Sequence, residues 1–127
     1  MPMTQIYLHS GKPFSYRRAI ADGIQKALTE AISVPAEERF QVITELNSED
    51  LVFDPGFRNI SRSQDFMMIL ITLKSGRSDS LKQSLYQAIA RELTRNPGVR
   101  PEDIMIVLRE NGSADWSFGN GTAQLLS

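Results

Sequence analysis

The feature that most constrains the fold of this chain is an internal repeat with a constant offset of 65 residues. Leu8–Lys12 is similar to Leu73–Arg77, since both copies read Leu-X-Ser-Gly followed by a basic residue. Further pairs at the same offset are Ile24 with Ile89, Leu28 with Leu93, Val34 with Val99, and Glu37 and Glu38 with Glu102 and Asp103. A solenoid requires more than two copies. The repeat therefore predicts two similar supersecondary units within one domain.

Each unit has the pattern of a strand, a helix and a second strand. In the first unit, alternating apolar residues over Met3–His9 predict a strand, and Ser15 is a candidate N-cap for the helix. Val34-Pro35 ends this helix, and Phe40–Leu46 predicts the next strand. The expected buried face of the helix consists of Ile20, Ile24, Ala27, Leu28 and Ala31.

The second unit has the same order. The nearly continuous apolar run within Phe66–Lys74 predicts a strand that is covered on both faces. Ser78 or Asp79 caps the helix, and Asn96–Gly98 ends it. Ile104–Leu108 predicts the last strand. The expected buried face of this helix consists of Leu81, Leu85, Ala88, Ile89 and Leu93.

The connector between the units is longer than most loops, and its Leu51–Phe53 segment predicts a short strand or hairpin arm. The Gly-rich tail keeps four large apolar residues, which are Trp116, Phe118, Leu125 and Leu126. Disordered tails rarely have this composition, so we expect the tail to pack against the protein or a neighbour. The predicted division of a single domain, 1–127, is a first unit (1–47), a connector (48–65), a second unit (66–110) and a tail (111–127).

These patterns together predict an α+β fold, with a four-stranded sheet and both helices on one of its faces. Right-handed crossover connections make the two strands of each unit parallel. No further element of the chain is expected on the other face of the sheet, yet Phe66–Ile71 is apolar on both sides. We therefore expect that face to be buried against another subunit in an oligomer.

Composition and charge exclude several classes of function. The 14 Lys and Arg against 15 Asp and Glu give a net charge of −1, which argues against binding to a nucleic-acid backbone. Without cysteine, and with His9 as the sole histidine, the chain lacks the residues for a thiolate or multi-histidine metal site. No apolar run approaches the roughly 20 residues of a membrane helix, and Met1–Thr4 does not read as a signal peptide. A cytoplasmic location is therefore expected, without a membrane partner.

Pro2 is the most informative residue for chemistry. If Met1 is removed, Pro2 carries a free secondary amine, and an α-amino group has an ordinary pKa of about 7.7–8.0. Burial or a nearby cation lowers such a pKa, so the amine can act as a general base when neutral and as a general acid when protonated. The alternative interpretation is a Met-Pro start without a role. A retained Met1 would turn the Pro2 nitrogen into an amide and abolish its basicity.

Other residues could complete an acid–base site around that amine. Arg77 lies in the turn that opens the second helix, and its guanidinium could bind a carboxylate bidentately. Its repeat partner Lys12 could serve similarly as an anchor for a carboxylate. Glu38 could orient a water or a substrate carbonyl. Trp116 and Phe118 could form an apolar wall that excludes water. Each of these residues also has a non-functional interpretation. Arg77 could be a solvated arginine in a turn, Glu38 could be a solvent-exposed acid in a turn, and Trp116 and Phe118 could serve only in packing.

Four segments occur together with the Met-Pro start: Val34–Gln41, Arg62-Ser63, Arg77-Ser78 and, as the most specific of them, Ala114–Gly119. In this combination the chain resembles the tautomerase superfamily over nearly its whole length. The resemblance is greatest to malonate semialdehyde decarboxylase and its relatives. It implies an amino-terminal proline as the catalytic acid or base, small oxo-acid substrates, no cofactor and a homotrimer.

The resemblance also implies roles for individual residues. Pro2 matches the catalytic proline of the family. Arg77 matches the second of two arginines that bind the substrate carboxylate in the decarboxylase. Trp116 and Phe118 match the hydrophobic wall of its pocket.

Two departures from the family pattern bear on the reaction. Glu38 stands where the decarboxylase has an aspartate, and Ser75 stands where it has its first arginine. The basic residues that could replace that arginine are Lys12, Arg39 and Arg62. We therefore expect keto–enol tautomerisation of a small oxo acid, which needs one base and one anchor. Decarboxylation of a 3-oxo acid such as malonate semialdehyde is the first alternative, and a non-catalytic binding or assembly module with Pro2 blocked by Met1 is the second.

Overall fold

The computed structural model describes residues 1–126. Over that range the chain forms four strands and two long helices in the order that the repeat predicts. The elements are β1 (Met3–His9), α1 (Phe14–Ile32), β2 (Gln41–Leu46), β3 (Met67–Lys74), α2 (Asp79–Arg95) and β4 (Ile104–Asn111). The predictions of all four strands are confirmed, with small differences at the ends.

The strands form one mixed sheet in the order β2-β1-β3-β4. β1 and β2 are parallel, as are β3 and β4, so the crossover prediction is confirmed for both units. The two units meet through β1 and β3, which are antiparallel, with Ile6 opposite Ile69 and Met3 opposite Thr72. Because of this register, the start of β1 lies beside the end of β3. The first residues of the chain are therefore neighbours of the β3–α2 turn.

Both helices pack on the same face of the sheet and share one apolar core with it. Alternate residues of β3 point into this core: Met67, Ile69, Ile71 and Leu73 are buried, whereas Met68, Leu70 and Thr72 are half-buried. A single chain thus covers only one face of the apolar run in β3. The predicted helix faces are confirmed except at Leu81, which is 41% exposed because it lies in the first turn of α2, outside the buried set that begins at Leu85.

The two helices begin in different ways. The prediction of a Ser78 cap is confirmed, since its hydroxyl accepts a hydrogen bond of 3.3 Å from the Leu81 amide, an arrangement that stabilises a helix by about 1 kcal/mol. The prediction of a Ser15 cap is wrong. Helix α1 begins at Phe14, and the residue before it is Pro13, which makes no side-chain cap. Proline suits the start of a helix because its φ angle is already helical and its missing N–H is not needed there.

The connector contains no strand within the described residues, so the prediction of a strand at Leu51–Phe53 is wrong. Two of its apolar residues, Leu51 and Phe53, pack against the protein without forming a strand. Leu51 is buried, and the Phe53 ring stacks on the Phe66 ring with 4.4 Å between centroids. The two ring nitrogens of His9 lie near main-chain oxygens of the connector, Nδ1 at 2.8 Å from that of Gln64 and Nε2 at 3.3 Å from that of Leu51, and the nitrogen that carries the hydrogen donates to its neighbour. The connector is thereby attached to the end of β1.

The sheet face opposite the helices exposes large apolar side chains, including Met3, Val42, Met105 and Val107. These residues come from β1, β2 and β4, and they leave an apolar surface on the side where the sequence predicts a partner subunit. Among the described residues, no helix has both the length and the hydropathy that a membrane span requires.

Candidate active site

The chain begins at the mouth of an apolar cavity. Pro2 is buried just before β1, and Met1 is half-buried above it. The cavity has a volume of about 220 Å³ and is lined by Met1, Met3, Phe40, Trp116, Ser117 and Phe118. The fold therefore brings the two aromatic residues predicted for the pocket wall to the amino terminus.

The aromatic wall is built by the segment that follows β4. The rings of Trp116 and Phe118 are stacked, with 5.6 Å between centroids. The indole nitrogen of Trp116 donates a hydrogen bond of 2.7 Å to the side-chain oxygen of Asn111. The main-chain oxygen of Asn111 accepts a hydrogen bond of 2.8 Å from the Ser75 amide. Asn111 thus joins the wall to the β3–α2 turn, and the sequence analysis did not single it out.

Three charged side chains act on the terminal amine. Burial lowers the pKa of the Met1 amino group below its ordinary value of 8.0, Glu38 opposes this with its negative charge, and the positive charges of Arg77 and Lys74 add to the lowering. The net effect of these groups is a lowered pKa of the Met1 amino group. An amine in this place is therefore neutral at a lower pH than an exposed one.

Arg77 and Lys74 have no carboxylate partner within residues 1–126. The Arg77 guanidinium donates a hydrogen bond of 3.0 Å to the main-chain oxygen of Lys74, which holds it at the turn. Lys74 is not among the site residues predicted from the sequence. Its place near the amine follows from the pairing of β1 with β3, since the register that puts Met3 opposite Thr72 would bring Met1 opposite Lys74 if it were extended by two residues. Two cations that are free of acidic partners suit an anionic ligand.

The three basic residues proposed to replace the arginine missing at Ser75 are engaged elsewhere. Lys12 forms an ion pair of 3.0 Å with Asp65. Arg39 forms one of 2.6 Å with Asp22. Arg62 donates hydrogen bonds to main-chain oxygens of its own loop, those of Asp54, Phe57 and Ile60. Lys74 is instead the second cation whose charge reaches the amine.

Glu38 lies half-buried in the loop between α1 and β2. Its amide donates a hydrogen bond of 3.0 Å to the oxygen of Pro35, and the Thr4 amide, at the start of β1, donates one of 3.0 Å to the oxygen of Phe40. The loop is therefore attached to the strand that carries Pro2. The Glu38 carboxylate itself makes no hydrogen bond or ion pair with another residue of the described chain, so it remains available to the amine or to a ligand.

The repeat also produces an equivalent arrangement at the opposite end of β1, where its groups are already paired. A larger cavity of about 510 Å³ lies there, with Lys12 and Asp65 in its lining. Asp103, the counterpart of Glu38, is fully buried and accepts hydrogen bonds of 2.7 Å from both the amide and the hydroxyl of Ser63. Lys12, the counterpart of Arg77, is paired with Asp65. Of these two equivalent sets within residues 1–126, the one at the amine has an unpaired acid and unpaired cations, whereas the counterparts at the other end are paired.

The arrangement at the amino terminus combines a proton-transfer group with an anion site. A partly desolvated amine can take or give a proton near neutral pH. Two cations can bind a carboxylate. The apolar rings of Trp116 and Phe118 lower the polarity near the amine, which strengthens electrostatic interactions there. Among the described residues, no group of three His, Asp or Glu side chains is arranged to hold a metal ion.

Comparisons with known proteins agree on one family. Residues 38–119 match a family model described as tautomerase enzyme. The probable tautomerase YusQ of Bacillus subtilis (strain 168) is 36% identical over 126 residues, which cover 99% of each chain. FG41 malonate semialdehyde decarboxylase, solved in a form inhibited by 3-bromopropiolate, is 35% identical with a TM-score of 0.92, over 98% of this chain and 94% of that chain.

A more distant structure extends the agreement on the fold. A fused 4-OT wild type, which is a symmetric trimer, is 18% identical with a TM-score of 0.80 and covers 98% of both chains. The family model spans well over half of this chain, and the relatives match it from end to end. The chain therefore belongs to the tautomerase family and is an enzyme of the tautomerase superfamily.

Proposed function

We propose that this enzyme is a cofactor-independent tautomerase that uses Pro2 as general base and general acid on a small oxo acid. Met1 is removed in the mature protein, so the free amine is that of Pro2. Arg77 binds the substrate carboxylate, and Glu38 orients a water or the substrate carbonyl. Trp116 and Phe118 shield the reacting atoms from water. A cytoplasmic location remains a prediction.

The observation that carries this proposal is the combination of groups at the start of β1. Arg77 and Lys74 have no carboxylate partner in residues 1–126, and their charges reach the terminal amine. The cavity beside that amine is lined mainly by apolar groups. Because Met1 both covers Pro2 and lines the cavity, its removal would open the cavity onto the Pro2 nitrogen. A small oxo acid that enters the cavity would then lie near both the Arg77 guanidinium and the basic Pro2 amine.

In the tautomerisation, the neutral Pro2 amine removes a proton from the carbon next to the substrate ketone. The carbon–hydrogen bond breaks, a nitrogen–hydrogen bond forms, and the electron pair moves through the new carbon–carbon double bond to the ketone oxygen. Water held by Glu38 protonates that oxygen, and the resulting hydroxide takes the proton from Pro2, which restores the water and the neutral amine. In the reverse direction the protonated Pro2 returns the proton to carbon. The low polarity near Trp116 and Phe118 favours the neutral amine and so supports its role as base.

Decarboxylation of a 3-oxo acid is a second candidate, and Lys74 favours it. The sequence departs from the decarboxylase at Ser75, where one carboxylate-binding arginine is absent. Lys74 supplies a second positive charge beside the amine and compensates for this loss. In this reaction, protonated Pro2 donates a hydrogen bond to the 3-oxo group. The carbon–carbon bond to the carboxylate breaks, its electron pair enters the enolate and carbon dioxide leaves.

We also infer that the enzyme is a homotrimer. The sheet face opposite the helices exposes apolar side chains from three of its four strands. A monomer rarely leaves a contiguous apolar surface of this kind in water. A structure with the same fold, the fused 4-OT wild type, is a symmetric trimer. A trimer of this chain would cover the exposed sheet face.

The experiment that tests the function begins with mass spectrometry of the purified protein, which reports whether Met1 is present. The enzyme is then assayed with a phenylpyruvate-type enol and with a set of 3-oxo acids, and enol conversion and carbon dioxide release are measured separately. We expect Pro2→Ala to reduce the rate by about a hundredfold or more, the usual contribution of a general acid–base group.

The matched control is Pro13→Ala, which changes the proline before α1 and leaves the amino terminus intact. Its activity should remain close to wild type. Full activity in Pro2→Ala, or a folded and active enzyme that retains Met1, would contradict the proposal. A protein that retains Met1 and turns over none of these acids would favour the non-catalytic role.

A further inference from the structure

We propose that Gln25 is a positioning residue for this site: its buried side-chain amide holds the loop that carries Glu38 and so keeps the Glu38 carboxylate at the amino terminus. The catalytic meaning of this inference rests on the proposed function. Its main test measures the amine directly and needs no turnover.

Gln25 lies on the buried side of α1, where it is only 6% exposed. Its Nε2 atom is 3.1 Å from the main-chain oxygen of Glu38, 3.4 Å from that of Pro35 and 3.5 Å from that of Ala36. One amide group has two hydrogens, so these three oxygens share them. The amide thus gathers three carbonyl groups of one turn around a single point on the helix. The shortest of the three contacts is to Glu38 itself.

The ends of this loop have their own attachments to α1. The Val34 amide donates a hydrogen bond of 3.2 Å to the main-chain oxygen of Leu28, and the Gln41 side-chain amide donates one of 2.8 Å to that of Ala21. Between these ends, Arg39 pairs with Asp22, but their side chains are 33% and 55% exposed, and exposed ion pairs contribute little to stability. A hydrogen bond away from water is stronger and is costly to remove. Among the described residues, Gln25 therefore supplies the buried polar link between α1 and the middle of the loop.

The Glu38 side chain has no hydrogen-bond or ion-pair partner of its own within residues 1–126. Its position consequently follows that of its main chain, which Gln25 holds. If the turn relaxes, the carboxylate is no longer kept near the amine. The attraction that favours the protonated amine then weakens, and water orientation by Glu38 is lost. The sequence offered a signal for this role, since Gln25 is a polar residue between Ile24 and Leu28 on the face that enters the core.

The test compares Gln25→Met with wild type in the full-length mature enzyme. Methionine keeps the length and volume of the side chain but cannot donate a hydrogen bond. The rate of acetylation of the terminal amine is measured against pH by mass spectrometry of the amino-terminal peptide. We expect Glu38→Gln and Gln25→Met each to lower the pKa of the amine, and the double variant to show no larger shift than Glu38→Gln alone. Turnover of an active oxo acid should fall about tenfold or more in kcat, with a small change in KM.

The matched control is Thr94→Val. Thr94 donates a hydrogen bond of 3.0 Å from α2 to the oxygen of Val99, in the corresponding loop of the second unit. This variant loses a similar loop contact and should leave the amine pKa unchanged. If Gln25→Met does not fold, Gln25→Asn serves instead. Asparagine keeps the amide group on a shorter side chain and should lower the pKa of the terminal amine by a smaller amount.

Three results would overturn the inference: an unchanged amine pKa in a folded Gln25 variant, an equal shift in Thr94→Val, or additive shifts in the double variant. A shifted amine pKa in an enzyme that turns over no oxo acid would support the positioning role of Gln25 and count against the proposed function alone.

Discussion

The side chain of Asn111 accepts a 2.7 Å hydrogen bond from the indole nitrogen of Trp116. The same residue accepts a 2.8 Å hydrogen bond from the Ser75 amide through its main-chain oxygen. One residue at the end of β4 therefore connects the aromatic wall to the turn that bears Lys74 and Arg77. The aromatic wall and the cationic turn, which are the two parts of the site proposed to bind a substrate, are therefore linked through Asn111.

Asn111→Leu should weaken substrate binding through this connection. Leucine leaves the indole N–H of Trp116 without its acceptor, and a hydrogen bond of this kind is worth about 1 kcal/mol, or about fivefold in KM. The measurement is a double-mutant cycle with Trp116→Phe, which removes the donor. The effects should be non-additive, because either change alone already breaks the bond. Simple additivity would show that the bond does not position the wall.

The pH dependence of the rate should report the state of Pro2. Burial and the two cations lower the pKa of the Met1 amine against the opposing charge of Glu38. We expect the same groups to act on the Pro2 amine, so the midpoint should lie below the ordinary value of that amine. If neutral Pro2 is the base, the rate rises as pH increases through that midpoint. If protonated Pro2 is the acid of a decarboxylation, the rate falls over the same range. A kcat/KM profile for each reaction distinguishes them, and a profile that shows no such midpoint over the whole pH range in which the enzyme stays folded would exclude both roles.

Arg77→Ala should mainly raise KM, because the guanidinium is expected to hold the substrate carboxylate. A hydrogen bond to a charged group contributes about 1.5–3 kcal/mol, which corresponds to roughly ten- to a hundredfold in KM. Lys74→Ala should have a smaller effect of about fivefold or less, since Lys74 is exposed and its interaction is screened by water. Arg18→Ala, an exposed arginine on α1, is the control and should behave as wild type. Equal effects of all three would point to net charge alone.

Much of the fold could be predicted from the sequence because the repeat and the apolar periodicity are local signals. They give the strands, the helices and the parallel pairing within each unit. The predictions were wrong where tertiary packing, and not the local sequence, determines the exposure or secondary structure of a residue. Leu81 fits the helical period, but the first turn of α2 leaves it exposed. Leu51 and Phe53 are apolar enough for a strand, but Leu51 is buried and Phe53 stacks on Phe66 in an irregular connector.

Site residues could be predicted where the residue type itself implies a chemical role. They could not be predicted where the role depends on the three-dimensional position of the residue. Pro2, Arg77 and the aromatic wall could be proposed from their chemical character and from the family resemblance. Lys74 could not, because its place beside the amine depends on the antiparallel register of β1 with β3, which no local pattern reports. Gln25 and Asn111 act through hydrogen bonds to distant residues. The sequence shows that Gln25 is a polar residue on the core-facing side of α1, but it does not show which groups either residue contacts.

Tyr16 should titrate anomalously at high pH. Burial, together with the negative charges of Asp65 and Asp103, raises its pKa to about 12. The unfolded chain releases this proton near pH 10, whereas the folded chain retains it, so the free energy of unfolding should fall between pH 10 and pH 12. Ultraviolet absorbance of tyrosinate should show one phase near pH 12 that Tyr16→Phe removes and Tyr86→Phe does not. Persistence of that phase in Tyr16→Phe would assign it to another residue.

Val107→Glu should dissociate the proposed trimer. Val107 lies on the open face of the sheet in β4 and is 39% exposed in the single chain. Burial of a valine contributes about 1.5–3 kcal/mol, and a carboxylate buried without a partner would oppose assembly more strongly still. Sedimentation equilibrium should give wild type at three times the chain mass of 14.3 kDa and the variant at a lower mass. The control is Val52→Glu, at an 80% exposed position in the connector, which should remain trimeric. A wild-type protein that is monomeric at micromolar concentration would refute the trimer, and the apolar sheet face would then need another occupant.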